Sequence, residues 1–300
     1  MKAILTSVVI VNYNAGRLLA ECIASALPQV DEVVVVDNAS HDTSMQDCAQ
    51  QFAGDMRVQF IFNTANYGFA SACNMGYEHV KGDTVLFLNP DCRLEPTAVP
   101  LLVEALHATP SVGMVGGLLM NMDGSEQGGG RRAIPTPWRS FVRAFGLNRF
   151  EERWPKLFFD FHLHQQPLPP GPIEVEAISG ACMLVKRQAV DAVGLWDEGY
   201  FLHCEDLDWC MRFRKASWKI LFVPSAHIFH ALGVSSSGRP IFVEWHKHKG
   251  MMRFYRKFFR HQYPGVLMGL VAVGVWLRFG SVAAYYLARR AGRALGLVRG

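Results

Sequence analysis

Residues 84 to 96 read TVLFLNPDCRLEP. The run from Val85 to Leu88 is apolar without alternation, as in a strand covered on both faces, and it stops on Asn89, Pro90 and Asp91. Pro90 has no amide hydrogen for a ladder and a fixed φ, so it ends the strand and turns the next carboxylate past the strand's carboxyl end. A polar turn explains this stretch, and so does a chain end that holds something charged. The flanking sequence has to decide between them.

Upstream, SVVIVN (7–12), EVVVVD (32–37) and VQFIF (58–62) are further strands. Between them Leu18, Leu19, Cys22, Ile23 and Ala26 recur at helical spacing, and TSMQDCAQQF (43–52) and FASACNMGYEHV (69–80) are helices. Strands alternating with helices predict right-handed crossovers and a mainly parallel sheet covered on both faces. Ligands of such sheets bind beyond the carboxyl ends of the strands. The residues there are Asn12 and Tyr13, then Asp37, Asn38 and Ser40, then Asn66 and Gly68, then Asn89 and Asp91. No loop carries GxGxxG or GxxxxGK[ST], which excludes the dinucleotide and P-loop phosphate cradles. A phosphate-rich ligand would then need a divalent cation, and Mg²⁺ or Mn²⁺ accepts one or two carboxylates with diphosphate oxygens and water. Asp91 sits where such an ion would be held.

From Asp123 to Pro172 the periodicity dissolves into Gly, Pro, Arg and Trp, a stretch that reads as a binding loop or lid. IEVEAISGACMLVKR (173–187) then predicts one strand, RQAVDAVG (187–194) a short helix, and KILFV (219–223) another strand. HCEDLDW places Glu205, Asp206 and Asp208 within four positions, ahead of a helix marked by Leu207, Cys210, Met211 and Phe213. Acids in a first turn are favoured by the helix dipole. Their crowding beside Phe201, Leu202 and Trp209 also suits a general base for a hydroxyl. His230, directly after the predicted strand, is a metal-ligand candidate better placed than His227.

Three hundred residues, half of them apolar and 19% charged, suffice for one large α/β domain or two smaller ones. The formal charge of +4 hides an asymmetry. Eleven of the thirty basic residues and none of the twenty-six acids lie beyond Glu244, so the body is acidic and the tail basic. The tail first mixes cations with Phe and Tyr and then turns apolar, a pattern that favours an anionic membrane over nucleic acid. Pro264 to Leu277 is short for a span of roughly 20 residues, and Arg278, at the centre of the longer and otherwise apolar stretch, would cost about 3 kcal/mol. The expectation is an interfacial or shallowly inserted helix pair, ahead of a single tilted span and of a buried C-terminal helix. Seven cysteines without a CxxC spacing describe neither a disulfide framework nor a zinc site and point to a reducing cytoplasm.

Seven ordered motifs, VVIVNYN, VVVVDNAS, NYGFASACNMGY, FLNPDC, SGACMLVKR, EDLDWCMR and HALGVSS, resemble the family 2 glycosyltransferases, most closely their rhamnosyltransferase-like branch. The resemblance covers about residues 5 to 240. It implies an α/β fold of the GT-A type, with a mainly parallel nucleotide-binding sheet flanked by helices and a C-terminal membrane-associated helical tail. Residues 1–244 would be the transferase domain, with a nucleotide-sugar half (1–120) and an acceptor and catalytic-base half (121–244), and 245–300 the tail. The family's metal-binding DxD motif is here Asn89-Pro90-Asp91, which leaves Asp91 its only acid, and His230 matches the metal-ligating histidine. Asp37 would read the donor base, with Asn12, Tyr13, Asn38, Ser40, Asn66, Gly68, Asn74, Asn89 and Asp91 along the nucleotide sugar. Asp206 would be the base, with Glu205 the nearby alternative. Gly180, Asp208 and Arg212 would support the acceptor side, Arg212 by pairing with an acid or touching the diphosphate.

The implied activity is inverting transfer of a sugar, with dTDP-L-rhamnose the favoured donor, to a glycan or polyprenyl-diphosphate-linked acceptor in cell-envelope polysaccharide synthesis. The implied cofactor is Mg²⁺ or Mn²⁺. The implied partners are the donor, the acceptor and an anionic membrane surface, with no nucleic acid. The implied place is the cytoplasm, peripheral or monotopic on the inner membrane. Two alternatives remain at this point. A sugar-phosphate nucleotidyltransferase would carry a Gly-rich basic loop after the first strand, where NYNAGR has one Gly and one Arg. The other alternative is a non-catalytic sugar-nucleotide-binding protein.

Overall fold

The computed structural model describes residues 4–159, 161, 163–231 and 239–294. The first part alternates as its apolar runs predict: β1 (Thr6–Asn12), α1 (Leu18–Ala26), β2 (Glu32–Asp37), α2 (Ser44–Gln51), β3 (Val58–Phe62), α3 (Phe69–Tyr77) and β4 (Thr84–Leu88). β1 pairs in parallel with β2 and β4, and β2 with β3. β1 and β4 bury every side chain, which is why they read as unbroken rather than alternating runs. The chain continues through β5 (Cys92–Leu94), α4 (Ala98–His107), β6 (Val112–Met120), β7 (Arg131–Arg132), α5 (Pro137–Ala144), α6 (Pro155–Phe158) and β8 (Ile173–Glu174). Then come β9 (Ala177–Ile178), β10 (Cys182–Lys186), α7 (Arg187–Val193), α8 (Glu205–Lys215), β11 (Lys219–His230), α9 (Pro240–Phe259) and α10 (Gly265–Ala294).

The main sheet runs β3-β2-β1-β4-β10-β6-β11-β5, with β8 on β11, and β7 pairs with β9 apart from it. Its parallel N-terminal half continues through β10, antiparallel to both β4 and β6, into the parallel pair β6 and β11. Four strand steps separate β4 from β5, roughly 19 Å across a flat sheet. Only three residues link Leu88 to Cys92, and the four Cα steps between them reach roughly 14 Å. The sheet therefore curls, and the Asn89-Pro90-Asp91 segment crosses from the end of β4 to the end of β11.

Three readings from sequence are corrected. The predicted strand over 173–187 is three short strands, because β8, β9 and β10 pair with different partners: β11, β7, and the β4/β6 pair. KILFV is only the start of β11, which continues to His230 across a register shift between Val223 and His227, at Pro224. His230 is therefore the last residue of a strand, not the first residue after one. The third is an omission. VGMVGGLLM forms β6, fully buried in the middle of the sheet. Its paired glycines weaken the strand signal, yet a Cβ on Gly117 would stand 2.3 Å from Ile228 Cδ1 and 2.4 Å from the Ala226 carbonyl. Close strand packing demands what local propensity disfavours.

Two compact units result: Met1–Ile134 with Asp160–Gly199 and Glu205–Ser235, and Pro135–Phe159 with Tyr200–Cys204 and Ser236–Gly300. The first holds the sheet and an aromatic cluster of Phe87, Trp196, Trp209 and Phe213. In the second, Trp245 of α9 packs on Trp276 and Phe279 of α10, at 5.1 and 5.5 Å between rings. The Ser140 and Tyr255 hydroxyls, 2.7 Å apart, tie α5 to α9. α10 runs unbroken for thirty residues through Arg278 and is, by length and composition, long and apolar enough to cross a membrane. One charged side chain does not interrupt a helix whose backbone bonds are all internal. Most of α10 is turned outward.

Candidate active site

Parallel β1 and β2 end side by side, with Asn12 opposite Asp37, and that register places the first polar group. The Asn12 side-chain amide donates to Asp37 Oδ1 at 2.8 Å, Ser44 Oγ at 2.9 Å and Ser40 Oγ at 3.1 Å. Ser40 donates its hydroxyl to Asp37 Oδ1 at 2.6 Å, and its backbone N–H meets Asp37 Oδ2 at 3.0 Å. Three donors thus hold a buried carboxylate in one orientation. Beside them Asn38 donates to the Gly68 carbonyl at 2.9 Å, and the Gly68 N–H donates to Asn66 Oδ1 at 2.9 Å. Gly68 has φ +89°, the left-handed region that glycine adopts without strain. Tyr13 stands edge-on to His41 at the rim. Asn74 belongs to another network: its amide bonds Trp196 and Glu198 and pins the loop before α8.

The second group forms where the curled sheet brings the β4–β5 link under the end of β11. His230 pairs with Cys92 across the antiparallel ladder, and its Nε2 lies 3.2 Å from Asp91 Oδ1. The tautomer follows from the neighbours. The Gln127 amide nitrogen donates to the His230 carbonyl and to Asn121 Oδ1, each at 3.1 Å, so Gln127 Oε1 accepts from His230 Nδ1 at 2.6 Å. Nε2 then carries a lone pair toward the Asp91 carboxylate. Two acceptors at that separation call for a shared proton or a cation, and the Asn89 amide approaches Nε2 only at 3.4 Å.

Among the described residues, Asp91, Cys92 and His230 have ligand atoms within 4.8 Å of one another. The Cys92 thiol donates to the Ala181 carbonyl at 3.5 Å, and burial, then the Asp91 carboxylate, pushes it well above its ordinary range. The remaining oxygen and imidazole donors fit Mg²⁺ or Mn²⁺ completed by ligand oxygens. Of the HALGVSS motif, Leu232 to Ser236 lie outside the described residues.

The third group is at the start of α8. Asp206 Oδ2 accepts from the Gly180 N–H at 3.2 Å and is ion-paired with Arg132, while Oδ1 accepts from the Leu207 N–H at 2.7 Å. Gly180 is close-packed there: a Cβ would sit 3.3 Å from Asp206 Cβ. Glu205 is buried beside it. Asp208 is fully buried and holds Arg212 through a 2.8 Å bond to Nε, and the guanidinium donates on to the carbonyls of Val193, Gly194 and Leu195. Of the two sequence alternatives for Arg212, the acid pair is the one present, and it closes the carboxyl end of α7.

A single turn joins the second and third groups. Asn89 donates its N–H to the Ala181 carbonyl at 2.9 Å, and the preceding residue, Gly180, holds Asp206. Asp91 and Asp206 therefore flank one edge, at the carboxyl end of β4 and the start of antiparallel β10. Two members of these groups were not picked out from sequence. Arg132 sits in the 123–172 stretch read as a binding loop or lid, but nothing in that stretch distinguishes it from Arg131, which is buried against Glu126. Gln127 carries no motif signal, because its role depends on β11.

A family model for glycosyl transferase family 2 matches residues 7–194. The N-acetylglucosaminyl-diphospho-decaprenol L-rhamnosyltransferase of Mycobacterium tuberculosis is 31% identical over 247 residues, 78% of this chain and 78% of the relative. The low-salt glycan biosynthesis hexosyltransferase Agl10 of Haloferax volcanii is 25% identical over 71% of this chain and 63% of its own length. The mannosyltransferase PcManGT of Pyrobaculum calidifontis, solved with GDP-Man and Mn²⁺, superposes over all of this chain and 82% of its own with a TM-score of 0.58 at 16% identity, a likeness of fold. The fold is that of the GT-A sugar transferases. The chain belongs to glycosyl transferase family 2, which decides between the sequence alternatives in favour of an enzyme of sugar transfer.

Proposed function

We propose that this enzyme moves L-rhamnose from dTDP-L-rhamnose to a sugar hydroxyl on a polyprenyl-diphosphate-linked or glycan acceptor of the cell envelope, with inversion at the anomeric carbon. The carrying observation is that Asp91 with His230 and Asp206 with Gly180 border the same edge, one turn apart. The Mycobacterium tuberculosis relative supports the donor and acceptor classes. The Asp37 network binds the nucleotide base, with Asn38, Asn66 and Gly68 beside it. Asp91 and His230 hold a divalent cation, which when bound neutralises charge on the departing diphosphate. Asp206 takes the acceptor's hydroxyl proton. Its Oδ2 already accepts from Arg132 and Gly180, so the lone pair open to that proton is on Oδ1. Arg132 is a positioning residue that orients the carboxylate. The tail, with α10 in the bilayer and cations at its ends, holds the enzyme at the cytoplasmic membrane surface where a lipid-linked acceptor lies.

The test is dTDP release from dTDP-L-rhamnose in the presence of Mn²⁺ and a polyprenyl-diphosphate-linked N-acetylglucosamine. Asp206→Asn should lower transfer by about 10²- to 10⁴-fold while thermal stabilisation by the donor persists. Full transfer by that variant would remove the base assignment.

A further inference from the structure

Residues 137 to 158 take no part in the transfer site, and their chemistry faces out of their own unit. Thr136 accepts from the Arg139 N–H at 3.1 Å and Pro137 opens α5, so this is a properly started helix. Along it Trp138, Phe141 and Phe145 recur at i, i+3 and i+7 and share one face. They stack in a row, 5.5 Å from Trp138 to Phe141 and 4.5 Å from Phe141 to Phe145, and all are exposed, Phe145 to 66%. Beside that row the helix holds Val142, which is buried, and further round it Ser140, which bonds Tyr255. A second row follows: Phe150, Trp154 and Leu157 are exposed, with Phe150 and Trp154 rings 6.2 Å apart. The Trp138 indole N–H already bonds the Leu157 carbonyl at 2.7 Å, so that ring needs no water partner.

Cations are threaded through both rows. Arg149 lies over Phe150 and Arg153 over Trp154, at 4.8 and 5.2 Å from the ring centres. With Arg139, Arg143 and Lys156 they make five cations against two acids, Glu151 and Glu152. A contiguous exposed apolar face marks an interaction site. Aromatic rings interleaved with Arg and Lys are the composition of a segment lying in a lipid headgroup layer. The same compact unit carries α10, apolar and outward-facing, and a tail without a single acid beyond Glu244.

We propose that residues 137–158 form a second membrane-docking element, with Trp138, Phe141, Phe145, Phe150, Trp154 and Leu157 turned into an anionic bilayer and the five cations on lipid phosphates. This goes beyond the membrane reading of the tail and is independent of which sugar is moved.

The experiment uses the full-length chain with vesicles of phosphatidylcholine, or of phosphatidylcholine mixed with phosphatidylglycerol. Amide exchange is followed separately for peptides of 137–158 and of α10. Exchange in 137–158 should slow about tenfold on the anionic vesicles and less on the neutral ones. The Phe141→Ser, Phe145→Ser double variant should lose that protection while α10 keeps its own. Brominated lipid gives a second readout, since Trp138→Phe with Trp154→Phe should reduce the quenched emission. Unchanged exchange in 137–158 on anionic vesicles, or equal quenching of parent and variant, overturns the proposal and leaves the aromatic face to a protein partner. Protection of 137–158 with none in α10 sustains it and removes the tail reading instead.

Discussion

The two compact units use the same aromatic side chains for opposite ends. In the first, Trp209 sits between Phe87, Trp196 and Phe213, at 5.3, 4.3 and 5.2 Å between ring centres, entirely shielded from solvent, and its indole N–H is bonded to the Gly194 carbonyl. In the second, Trp138, Phe141 and Phe145 stack at similar distances in the open. Ring contact alone therefore says nothing about burial. What differs is the framework: the first cluster is roofed by a sheet and two helices, whereas the second lies on the outer face of a helix whose inner face is already occupied.

That contrast is exposed to several measurements. The largest expected effect is at the enclosed cluster. Trp209→Ala should lower the free energy of unfolding by about 3 to 5 kcal/mol through a cavity and lost ring contacts, read by urea titration of the detergent-solubilised chain. A loss no larger than that of a surface variant would break the comparison.

Next is Tyr255 in the second unit, where burial pushes the phenol up to about 12 and the Ser140 hydrogen bond opposes this. The ordinary value is about 10. A phenol with a raised value in the fold contributes stability that is complete below about pH 10 and is lost as pH climbs toward 12. The loss should approach about 3 kcal/mol and be absent from Tyr255→Phe, as followed by alkaline unfolding and ultraviolet titration.

Gln127→Leu should raise the Mn²⁺ concentration for half-maximal transfer by about 10- to 100-fold, because His230 loses the partner that fixes its Nδ1 proton. Unaltered metal dependence would detach Gln127 from the site. The smallest effect sharpens the contrast from the other side: Phe145→Ala should change unfolding by no more than about 0.5 kcal/mol in detergent.

Much of the first unit was legible in residue order. β1, β2 and β4 lie where unbroken apolar runs placed them, since a strand buried on both faces leaves a local trace, and β3, at the sheet edge and only partly buried, lies where VQFIF placed it. β6 left a weaker trace because Gly116 and Gly117 answer to Ile178 and Ile228, residues far away in sequence. Within the candidate site, Asn12, Asp37, Asn38 and Asp91 could be named because strand ends are where open sheets meet ligands. Gln127 and Arg132 could not, because their partners, His230 and Asp206, lie 103 and 74 residues away.

By itself, then, the order of residues determined the alternation of strands and helices, the polar strand ends and the split between an acidic body and a basic, aromatic tail. Those follow from periodicity and charge, which act over a few positions. Only the tertiary structure decided that the β4–β5 link passes beneath His230, that Arg132 and not Arg131 meets Asp206, and that the rings of α5 face outward. Each of these depends on sheet curl and long-range packing, where the partner of a side chain is set by the path of the chain rather than by its neighbours along it.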